Sequence, residues 1–463
     1  MINLESRRNQ NIAVLGLGVS GLMAARALQR SGANVLAWDD NETQCKEAVA
    51  AGIPIVNLYK KSFRKMDALV LAPGVPFTNQ PHKIVEKAKF LNKPILGDIE
   101  LLIEACPQSR FIGITGTNGK STTTALIGHI LEFAGVYAQI GGNFGIPALG
   151  LNQPNKDEII ILELSSYQLD LTSKASFDIA VFINLSPDHF DRHGDMNRYF
   201  KAKQRIFRTR NEGSPKQLAV IGLDDKYGKK VYISLEQKSR WEITPISMSE
   251  TLSCGFFVKD GFLFEAKEGN ATKISNLNPI KTLKGTHNWQ NAAAATAVVR
   301  KLGVHPPTIG QALASYPGLP HRMESIASVE NVQFINDSKA TNVQAAALAL
   351  SCFNKIYWIA GGRKKLDDLR IIQPYLPNIR AVFLFGEAEE DFAQTLEPYI
   401  SINRCGNLET ATQKACELAL RNLGDESVVL LSPACASFDQ WPNFEVRGEA
   451  FKKFVKTLLG KLK

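Results

Sequence analysis

The chain has 463 residues, of which 44% are apolar, and a formal net charge of +9 from 54 Lys and Arg against 45 Asp and Glu. This length predicts about three domains of roughly 150 residues each. A transmembrane helix is not expected, since a run of about 18 apolar residues is missing from the sequence. The seven cysteines are scattered and include no C-x-x-C pair, which excludes a zinc or disulfide framework and indicates a reducing, cytoplasmic location. Basic residues occur only in short clusters, so we predict anionic small molecules and no nucleic acid as ligands, and the sequence implies no partner protein.

The first predicted elements alternate between strand and helix. They are a strand at 12–15, a glycine-rich turn at 16–21, a helix at 22–30, and strands at 35–38 and 68–71. Such alternation predicts a parallel sheet with crossover helices. The turn has the pattern G-x-G-x-x-G, and Asp39 ends the next strand, which is typical of sites for a diphosphate next to a nucleoside. Taken alone, this motif also fits a dinucleotide-dependent oxidoreductase.

The second α/β region begins near residue 98 and carries the most informative motif of the chain. A strand at 110–113 leads into a glycine-rich turn and then into a helix. Such a turn points backbone N–H groups and a helix N-terminus at an anion. Lys120 would neutralise phosphate charge, and Ser121 or Thr122 would bind Mg²⁺. The spacing is shorter than the full P-loop pattern, so we predict a variant phosphate loop built on Gly116, Gly119 and Lys120 that binds a nucleoside triphosphate.

Two further strands of this region end in polar residues. Glu163 closes the predicted strand at 159–162, and Asp188 and His189 follow the strand at 179–183. The carboxyl ends of parallel strands face the crevice in which ligands bind, so Glu163 is a candidate Mg²⁺ ligand and His189 a candidate contact for metal or phosphate. The alternatives are a capping or surface role for Glu163 and a structural role for His189.

Two later segments leave their roles open. Lys203 lies in a predicted helix, where a solvated helix face is the ordinary interpretation. Asn288 and Asn291 precede an alanine-rich helix at 292–299, where they would bind a base or ribose, or cap the helix.

The third α/β pattern starts after Pro320, with predicted strands at 332–335, 356–359, 381–385 and 428–431. Arg322 lies at the domain junction, where its planar guanidinium would clamp a transferring phosphoryl group or form a surface ion pair. The segment 337–342 follows the first of these strands and is dense in polar groups.

Together these motifs resemble the Mur ligase family, the ATP-dependent amino-acid ligases of peptidoglycan synthesis. The matching segments occur in family order and are 115–122, 163–166, 188–189, Lys203, 287–291, 321–324 and 337–342. The resemblance implies an α/β protein with three domains. These are a Rossmann-like UDP-binding domain at 1–98, a central P-loop ATPase-like domain at 99–318 and a C-terminal Rossmann-like amino-acid-binding domain at 319–463.

Five other segments distinguish members within the family, and they are 16–21, 72–74, 97–100, 142–145 and 431–440. They imply a ligase that forms an amide bond between UDP-N-acetylmuramoyl-L-alanine and D-glutamate through an acyl phosphate and a tetrahedral intermediate. The implied cofactors are ATP and Mg²⁺ at two sites, with Mn²⁺ able to substitute.

The resemblance also implies roles for individual residues. Those for ATP are Gly116, Thr117, Asn118, Gly119, Lys120, Ser121, Thr122, Asn291, Arg322 and Asp337. Those for the UDP substrate are Gly18, Val19, Ser20, Asp39, Asp40, Gly74 and Asn143. Those for D-glutamate are Lys339, Thr341, Lys365, Ser437, Phe438 and Phe444. The metal ligands are Ser121, Glu163, His189 and Lys203, and the catalytic residues are Lys120, His189, Lys203 and Arg322.

Two features qualify these implied roles. A protonated Lys203 would repel Mg²⁺, and the family resolves this by carbamylation of the lysine. Arg363 and Lys364 occupy positions where many relatives carry an acidic residue near the lysine that corresponds to Lys365.

Three alternatives to this ligase remain open from the sequence. The first is the dinucleotide-dependent oxidoreductase, the second a non-enzymatic nucleotide-binding protein, and the third a sibling ligase that adds another amino acid or adds glutamate to folate. Two glycine-rich anion sites on one chain favour a ligase, because one holds a nucleotide-linked substrate and the other a triphosphate.

Overall fold

A computed structural model describes residues 1–210, 213–238, 240–363, 368–422 and 426–460. These residues form an α/β protein with three sheets of four, nine and six strands, which confirms the predicted fold class. The chain divides into two compact units. The first comprises Met1–Leu277 and Trp289–Ser315 and contains the first two sheets, and the second comprises Asn278–Asn288 and Tyr316–Lys463 and contains the third.

The first sheet is parallel throughout. Its strands are β1 (Asn11–Leu15), β2 (Asn34–Trp38), β3 (Ala68–Leu71) and β4 (Ile95–Leu96), and the helices are α1 (Val19–Arg30), α2 (Glu42–Ala50), α3 (Lys83–Phe90) and α4 (Asp98–Ala105). The strand order is β2-β1-β3-β4, with Val14 paired to Ala37 on one side and to Val70 on the other. Strand β1 is an inner strand and almost wholly buried. The turn that follows it lies at the carboxyl edge of the sheet.

The second sheet has nine strands. They are β5 (Arg110–Thr115), β6 (Ala138–Gly142), β7 (Ile159–Glu163), β8 (Ile179–Phe182), β9 (Gln217–Gly222), β10 (Trp241–Ser247), β11 (Gly255–Lys259), β12 (Phe262–Lys267) and β13 (Asn270–Asn276). The helices are α5 (Lys120–Phe133), α6 (Ser166–Asp170), α7 (Phe190–His193), α8 (Met196–Gln204), α9 (Lys226–Glu236), α10 (Thr286–Lys301) and α11 (Pro306–Ser315).

The strand order of this sheet places β5 at a switch point. The order is β13-β12-β11-β10-β9-β8-β5-β7-β6, parallel from β6 to β11 and antiparallel at β12 and β13. The chain leaves β5 toward β6 and β7 on one side and returns to β8 on the other. Ligands bind at such reversals in open α/β sheets, so the loops after β5, β7 and β8 define the candidate site.

The third sheet is parallel except at one edge. Its strands are β14 (Glu324–Val329), β15 (Val332–Asn336), β16 (Ile356–Gly361), β17 (Ile379–Phe385), β18 (Ile402–Arg404) and β19 (Ser427–Ala434), and its helices are α12 (Val343–Leu350), α13 (Glu389–Leu396), α14 (Leu408–Arg421) and α15 (Phe444–Gly460). The order is β14-β15-β19-β16-β17-β18, with β14 antiparallel. The carboxyl ends of β15, β19 and β16 therefore lie side by side.

Every strand named from the sequence is found, with bounds that differ by a few residues at most. Helix α10 covers the predicted alanine-rich helix, and α8 covers the stretch around Lys203. Within the parts of the chain that the structure describes, each helix is too short or too polar to cross a membrane.

Candidate active site

The loop after β5 is built to hold an anion. Gly119 has a φ of 85°, in the left-handed region that favours glycine, and α5 begins at the next residue. A Cβ atom on Gly119 would lie 2.1 Å from the Oδ1 of Asn291, so the site also lacks space for a larger residue. The Nζ of Lys120 donates to the carbonyl oxygens of Gly116 at 3.0 Å and Thr117 at 2.8 Å. A helix N-terminus and an ammonium group thus meet at one loop, which is the arrangement that binds phosphate.

Residues that follow β8 hold this loop in place. The backbone N–H of Asn118 donates to the side-chain oxygen of Asn184 at 3.0 Å, and that of Thr117 donates to the carbonyl of Asn184 at 3.1 Å. The Asn184 side chain in turn donates to Gln290 at 3.0 Å, and the N–H of Ser186 donates to the Thr117 hydroxyl at 3.0 Å. The loop is therefore ordered by its neighbours before any ligand binds, which lowers the reorganisation needed for catalysis.

Glu163 presents its carboxylate beside the first turn of α5. The residue is 2% exposed and ends β7. Its Oε2 accepts a hydrogen bond from the Ser121 hydroxyl, and its Oε1 accepts one from the side-chain amide of Asn143 at 2.7 Å. The structure thus brings together three predicted site residues from three segments, and carboxylate and hydroxyl oxygens are the ligands that Mg²⁺ prefers.

Lys203 is buried, and its interpretation as part of a solvated helix face is wrong. The side chain is 1% exposed, and its Nζ donates to the carbonyl oxygen of Gly116 at 2.8 Å and lies 3.3 Å from the Thr115 hydroxyl. Burial lowers the pKa of Lys203 well below its usual value, and the positive charge of Lys120 lowers it further. The amine therefore lies directly under the phosphate loop in an environment that favours its neutral form.

His189 and Lys203 both contact the ring of Tyr199. Its Nδ1 is 2.9 Å from the hydroxyl of Tyr167, and its ring meets that of Tyr199 edge-on with centroids 5.9 Å apart. The Nζ of Lys203 lies 4.9 Å from the centre of the same Tyr199 ring. His189 has a φ of 56° and its Nε2 is 3.6 Å from the carboxylate of Asp188. Within the described residues, His, Cys, Asp and Glu side chains form no group of three that could hold a metal ion, so the predicted set depends on Ser121 and Lys203 as well.

The glycine-rich turn after β1 forms a second candidate anion site. Gly16 has a φ of 88°, and a Cβ on Gly21 would lie 1.8 Å from the carbonyl oxygen of Gly16, so neither position tolerates a side chain. Gly18 is the N-cap of α1, and Val19, whose side chain is 76% exposed, and Ser20 form its first turn. A helix N-terminus that follows a tight turn offers N–H groups to a diphosphate.

The two aspartates after β2 have different environments. Asp39 accepts a hydrogen bond from the backbone N–H of Leu17 at 2.6 Å, so this carboxylate orders the glycine-rich turn. Asp40 accepts hydrogen bonds from the Trp38 indole at 2.8 Å and the Tyr59 hydroxyl at 2.9 Å, and its Oδ2 lies 2.9 Å from the Nε2 of His82. The structure therefore gives Asp39 a role in the loop itself and leaves Asp40 in a half-exposed polar cluster.

Gly74 lies in the loop after β3, and Arg192 of α7 holds this loop by hydrogen bonds. The guanidinium of this buried arginine donates to the carbonyl oxygens of Pro73 at 3.1 Å, Gly74 at 3.4 Å and Val75. The loop after β3 is thereby fixed relative to the segment that carries His189.

In the second unit, Asp337 follows β15 and is almost fully buried. Its Oδ1 accepts a hydrogen bond from the backbone N–H of Met323 at 3.1 Å, and its Oδ2 accepts one from the hydroxyl of Ser432 at 2.9 Å. Burial raises the pKa of Asp337 to about 7, against the opposing effects of these hydrogen bonds and of Arg322. Arg322 is half-buried, and its N–H donates to the carbonyl oxygen of Leu319 at 3.3 Å.

Asp337 is expected to make stability depend on pH. The folded state keeps a proton on this carboxyl up to about pH 7, whereas the unfolded chain releases it near 3.8, so the free energy of unfolding falls as pH rises through that window. Asp337→Asn keeps the shape and cannot ionise, so we expect it to flatten the fall. Urea unfolding of the full-length chain at about pH 5 and about pH 7.5 measures the effect. An Asp337→Asn variant whose free energy of unfolding falls as steeply with pH as that of the unmodified chain would contradict it.

The residues predicted for D-glutamate come from three segments of the second unit. The Nζ of Lys339 lies 3.9 Å from the centre of the Phe444 ring, and Thr341 precedes the N-cap of α12. Ser437 is buried in the loop after β19, whereas Phe438 is 60% exposed there. These side chains therefore belong to the carboxyl edge of the third sheet, where β15 and β19 end.

The lysine-rich segment after β16 falls only partly within the described residues. Lys364 and Lys365 lie outside the described residues. Arg363 is exposed, its N–H donates to the carbonyl oxygen of Ala436 at 2.8 Å, and its guanidinium lies 3.7 Å from the carboxylate of Glu387. The predicted contact of Lys365 with D-glutamate therefore stays a prediction.

Sequence reasoning missed two residues that organise these sites. Tyr199 lies one helical turn before Lys203, and its hydroxyl is 3.2 Å from that of Thr117. An aromatic residue four positions before a candidate lysine on one helix is a signal that could have found it. Arg447, which is fully buried in α15, gave no local signal because a single arginine in a charged helix looks solvent-exposed.

Three families of known domains match the chain. The Mur ligase middle domain matches residues 114–299, and the Mur ligase glutamate ligase domain matches residues 321–435. Residues 11–95 match the NAD binding domain of 6-phosphogluconate dehydrogenase. Together these matches reach all three sheets.

Individual proteins are similar over nearly the whole chain. The UDP-N-acetylmuramoylalanine–D-glutamate ligase of Caulobacter sp. strain K31 is 44% identical, over 99% of this chain and 98% of that protein. The ligase of the same name from Paramagnetospirillum magneticum strain AMB-1 is 42% identical, over 98% of each. Among solved structures, the UDP-N-acetylmuramate-alanine ligase of Thermotoga maritima has a TM-score of 0.57 at 16% identity, over 97% of this chain and 99% of that chain. This last similarity shows a common fold.

Proposed function

The chain belongs to the Mur ligase family, and on that premise we propose that it joins UDP-N-acetylmuramoyl-L-alanine to D-glutamate at the expense of ATP, the reaction EC 6.3.2.9 of peptidoglycan precursor synthesis. One observation carries the proposal. A chain that is similar to such ligases over 99% of its length holds two separate glycine-rich loops at helix N-termini, one after β1 and one after β5. A ligase needs both, because a nucleotide-linked acid and a triphosphate must be held at the same time.

The reaction requires activation of a carboxylate. A carboxylate is a poor electrophile, and its condensation with an ammonium group is unfavourable in water. Attack of a carboxylate oxygen on the γ-phosphorus of ATP gives an acyl phosphate and ADP. The free amine of D-glutamate then attacks the carbonyl carbon, and the tetrahedral intermediate collapses with loss of phosphate. Positioning and neutralisation of phosphate charge supply most of the rate in such transfers.

The phosphate loop supplies the positive potential for the first step. In this proposal the backbone N–H groups of 116–119 and the ammonium of Lys120 surround the ATP phosphates. Asn291 fixes the loop, since it lies against Gly119 and accepts a hydrogen bond from Thr123 at 3.3 Å. Arg322 and Asp337 of the second unit are proposed to contact ATP as well. Removal of one such preorganised partner typically costs about 10²–10³ in rate.

The residues around the first turn of α5 fit a bound Mg²⁺. Ser121 and Glu163 contribute a hydroxyl and a carboxylate that already lie together, and His189 and the buried Lys203 both contact the ring of Tyr199. A neutral, buried amine reacts with CO₂ by attack of nitrogen on carbon and loss of one proton, which gives an anionic carbamate with oxygens suited to a hard cation. We assign this modification to Lys203. A bound Mg²⁺ would neutralise phosphate charge during transfer.

The remaining sites divide between the other two sheets. The turn after β1, with Val19, Ser20 and Asp40, is proposed to hold the uridine and diphosphate, and Asn143 lines the path to the alanine carboxylate. The loops after β15 and β19 are proposed to bind D-glutamate. The domain boundaries at residues 98 and 318 and the cytoplasmic location stay predictions.

A panel of amino acids tests the assignment. We expect phosphate release from ATP, Mg²⁺ and UDP-N-acetylmuramoyl-L-alanine to depend on D-glutamate, with rates at least about tenfold lower for L-alanine, L-lysine and diaminopimelate. A site built to pair the polar groups of one substrate rejects analogues that leave those groups unpaired. Release that depends on another amino acid would assign a sibling ligase, and ATP binding without amino-acid-dependent release would assign a non-enzymatic role.

The assay of turnover also distinguishes the ligase from the oxidoreductase alternative. The match of residues 11–95 to an NAD binding domain agrees with the Rossmann-like fold of the first sheet. A redox role would leave the cluster of Lys120, Glu163 and Lys203 unused. Turnover with a constant nicotinamide absorbance therefore supports the ligase.

A further inference from the structure

Arg447 is a fully buried arginine that the proposed chemistry does not use. It lies in the first turn of α15, and its guanidinium makes three hydrogen bonds. The Nε donates to the hydroxyl of Ser338 at 3.0 Å, and the Nη2 donates to the carbonyl oxygen of the same residue at 2.7 Å. The Nη1 donates to the carbonyl oxygen of Cys435 at 3.0 Å. The Ser338 hydroxyl completes the set by donating to the carbonyl oxygen of Phe444 at 2.8 Å.

These bonds join three separate segments of the second unit. Ser338 lies in the loop after β15, Cys435 in the loop after β19, and Phe444 at the start of α15. The same three segments carry all the described residues that are proposed to bind D-glutamate. These residues are Lys339, Thr341, Ser437, Phe438 and Phe444. Arg447, itself on α15, is thus the side chain that ties these segments together.

Stability alone is a poor reason for this arrangement. A buried guanidinium loses its hydration, and a well-packed apolar side chain of similar volume is often as stabilising or more so. What the planar fork adds is geometry, because its donors fix two carbonyl oxygens and a hydroxyl at set directions. The neighbouring backbone supports this reading, since a Cβ on Gly448 would lie 2.2 Å from the imidazole of His321 and α15 is therefore packed tightly at this turn.

We propose that Arg447 is a positioning residue that sets the relative placement of the three segments that bind D-glutamate, an amino acid with two carboxylates. The inference rests on the proposed function and adds a determinant of amino-acid binding to it. Arg447 touches the backbone of these segments, so it acts through the side chains that they carry.

Steady-state kinetics of the full-length chain test the proposal. We expect Arg447→Lys, which keeps the charge and loses the fork, to raise the KM for D-glutamate about 10- to 100-fold, while the KM for ATP changes less than about twofold. Ser338→Ala removes the shared hydroxyl and leaves Arg447 in place, so it should raise the same KM by a smaller factor. Arg380→Lys, at an exposed position on β17, is the matched control and should change neither value.

The outcomes separate the inference from the function on which it rests. An unmodified chain without D-glutamate-dependent phosphate release would overturn the proposed function. An active unmodified chain whose Arg447→Lys and Ser338→Ala variants keep the KM for D-glutamate would overturn the positioning role, as would equal changes in the KM for ATP and for D-glutamate. If Arg447→Lys does not fold, the Ser338→Ala measurement decides on the same criterion.

Discussion

Replacement of Lys203 by alanine is expected to reduce D-glutamate-dependent phosphate release at least about 10²–10³-fold, the usual cost of removing a preorganised charge from an active site. Lys203 is 1% exposed, and its Nζ lies 2.8 Å from the carbonyl oxygen of Gly116 in the phosphate loop. Burial lowers the pKa of its amine, which suits conversion to a carbamate. The variant would lose the proposed carbamate and leave a space beside Thr115 and the carbonyl oxygen of Gly116. Added acetate or another short carboxylate should therefore restore part of the activity.

A second lysine of the same helix provides the control. Lys201 is exposed and precedes Lys203 by two positions on α8, so Lys201→Ala should keep full activity and should not respond to acetate. Assays in buffers depleted of bicarbonate should lower the activity of the unmodified chain, and added bicarbonate should restore it. Full activity in the Lys203→Ala variant would remove this residue from the mechanism.

The fold was predictable from the sequence wherever strands are buried. Parallel strands covered on both faces are apolar runs that end at glycine or a polar residue, and β1 and β7 both have this form. The antiparallel strands β12 and β13 were missed because β13 is mostly polar and exposed and β12 has only two buried residues, Leu263 and Ala266. The turn between β11 and β12 nevertheless carried a signal in the sequence, the dipeptide Asp260-Gly261. These two residues have φ values of 52° and 76°, the backbone of a type I′ hairpin.

The candidate site was predictable to the level of segments. Polar residues at the ends of β5, β7 and β8 were expected to meet because those ends share an edge, and Ser121 does contact Glu163. The burial of Lys203 could not be deduced from its helix, because a lysine between polar neighbours looks solvated. The contact of Asn291 with Gly119 is also a product of tertiary packing, since 172 positions separate the two residues and no local pattern encodes their approach.

Gly119→Ala is expected to lower kcat/KM for ATP about 10²-fold or more, because small displacements in a phosphate site have effects of this size. A Cβ at this position would lie 2.1 Å from the Oδ1 of Asn291 and 3.0 Å from its Cγ. Asn291 is 2% exposed and bonded to Thr123, so its side chain has little room to retreat. The substitution would therefore push the phosphate loop away from α10. Phosphate release measured over a range of ATP concentrations gives the effect.

Gly135→Ala separates this clash from backbone strain. Gly135 has a φ of 72°, close to the 85° of Gly119, and a Cβ there would meet nothing within 4 Å. Both variants carry the cost of a left-handed alanine, about 1–2 kcal/mol, but only Gly119→Ala adds a collision at the phosphate loop. We therefore expect Gly135→Ala to lose stability and to keep its affinity for ATP. Equal losses of ATP affinity in the two variants would mean that strain, and not the contact with Asn291, governs the loop.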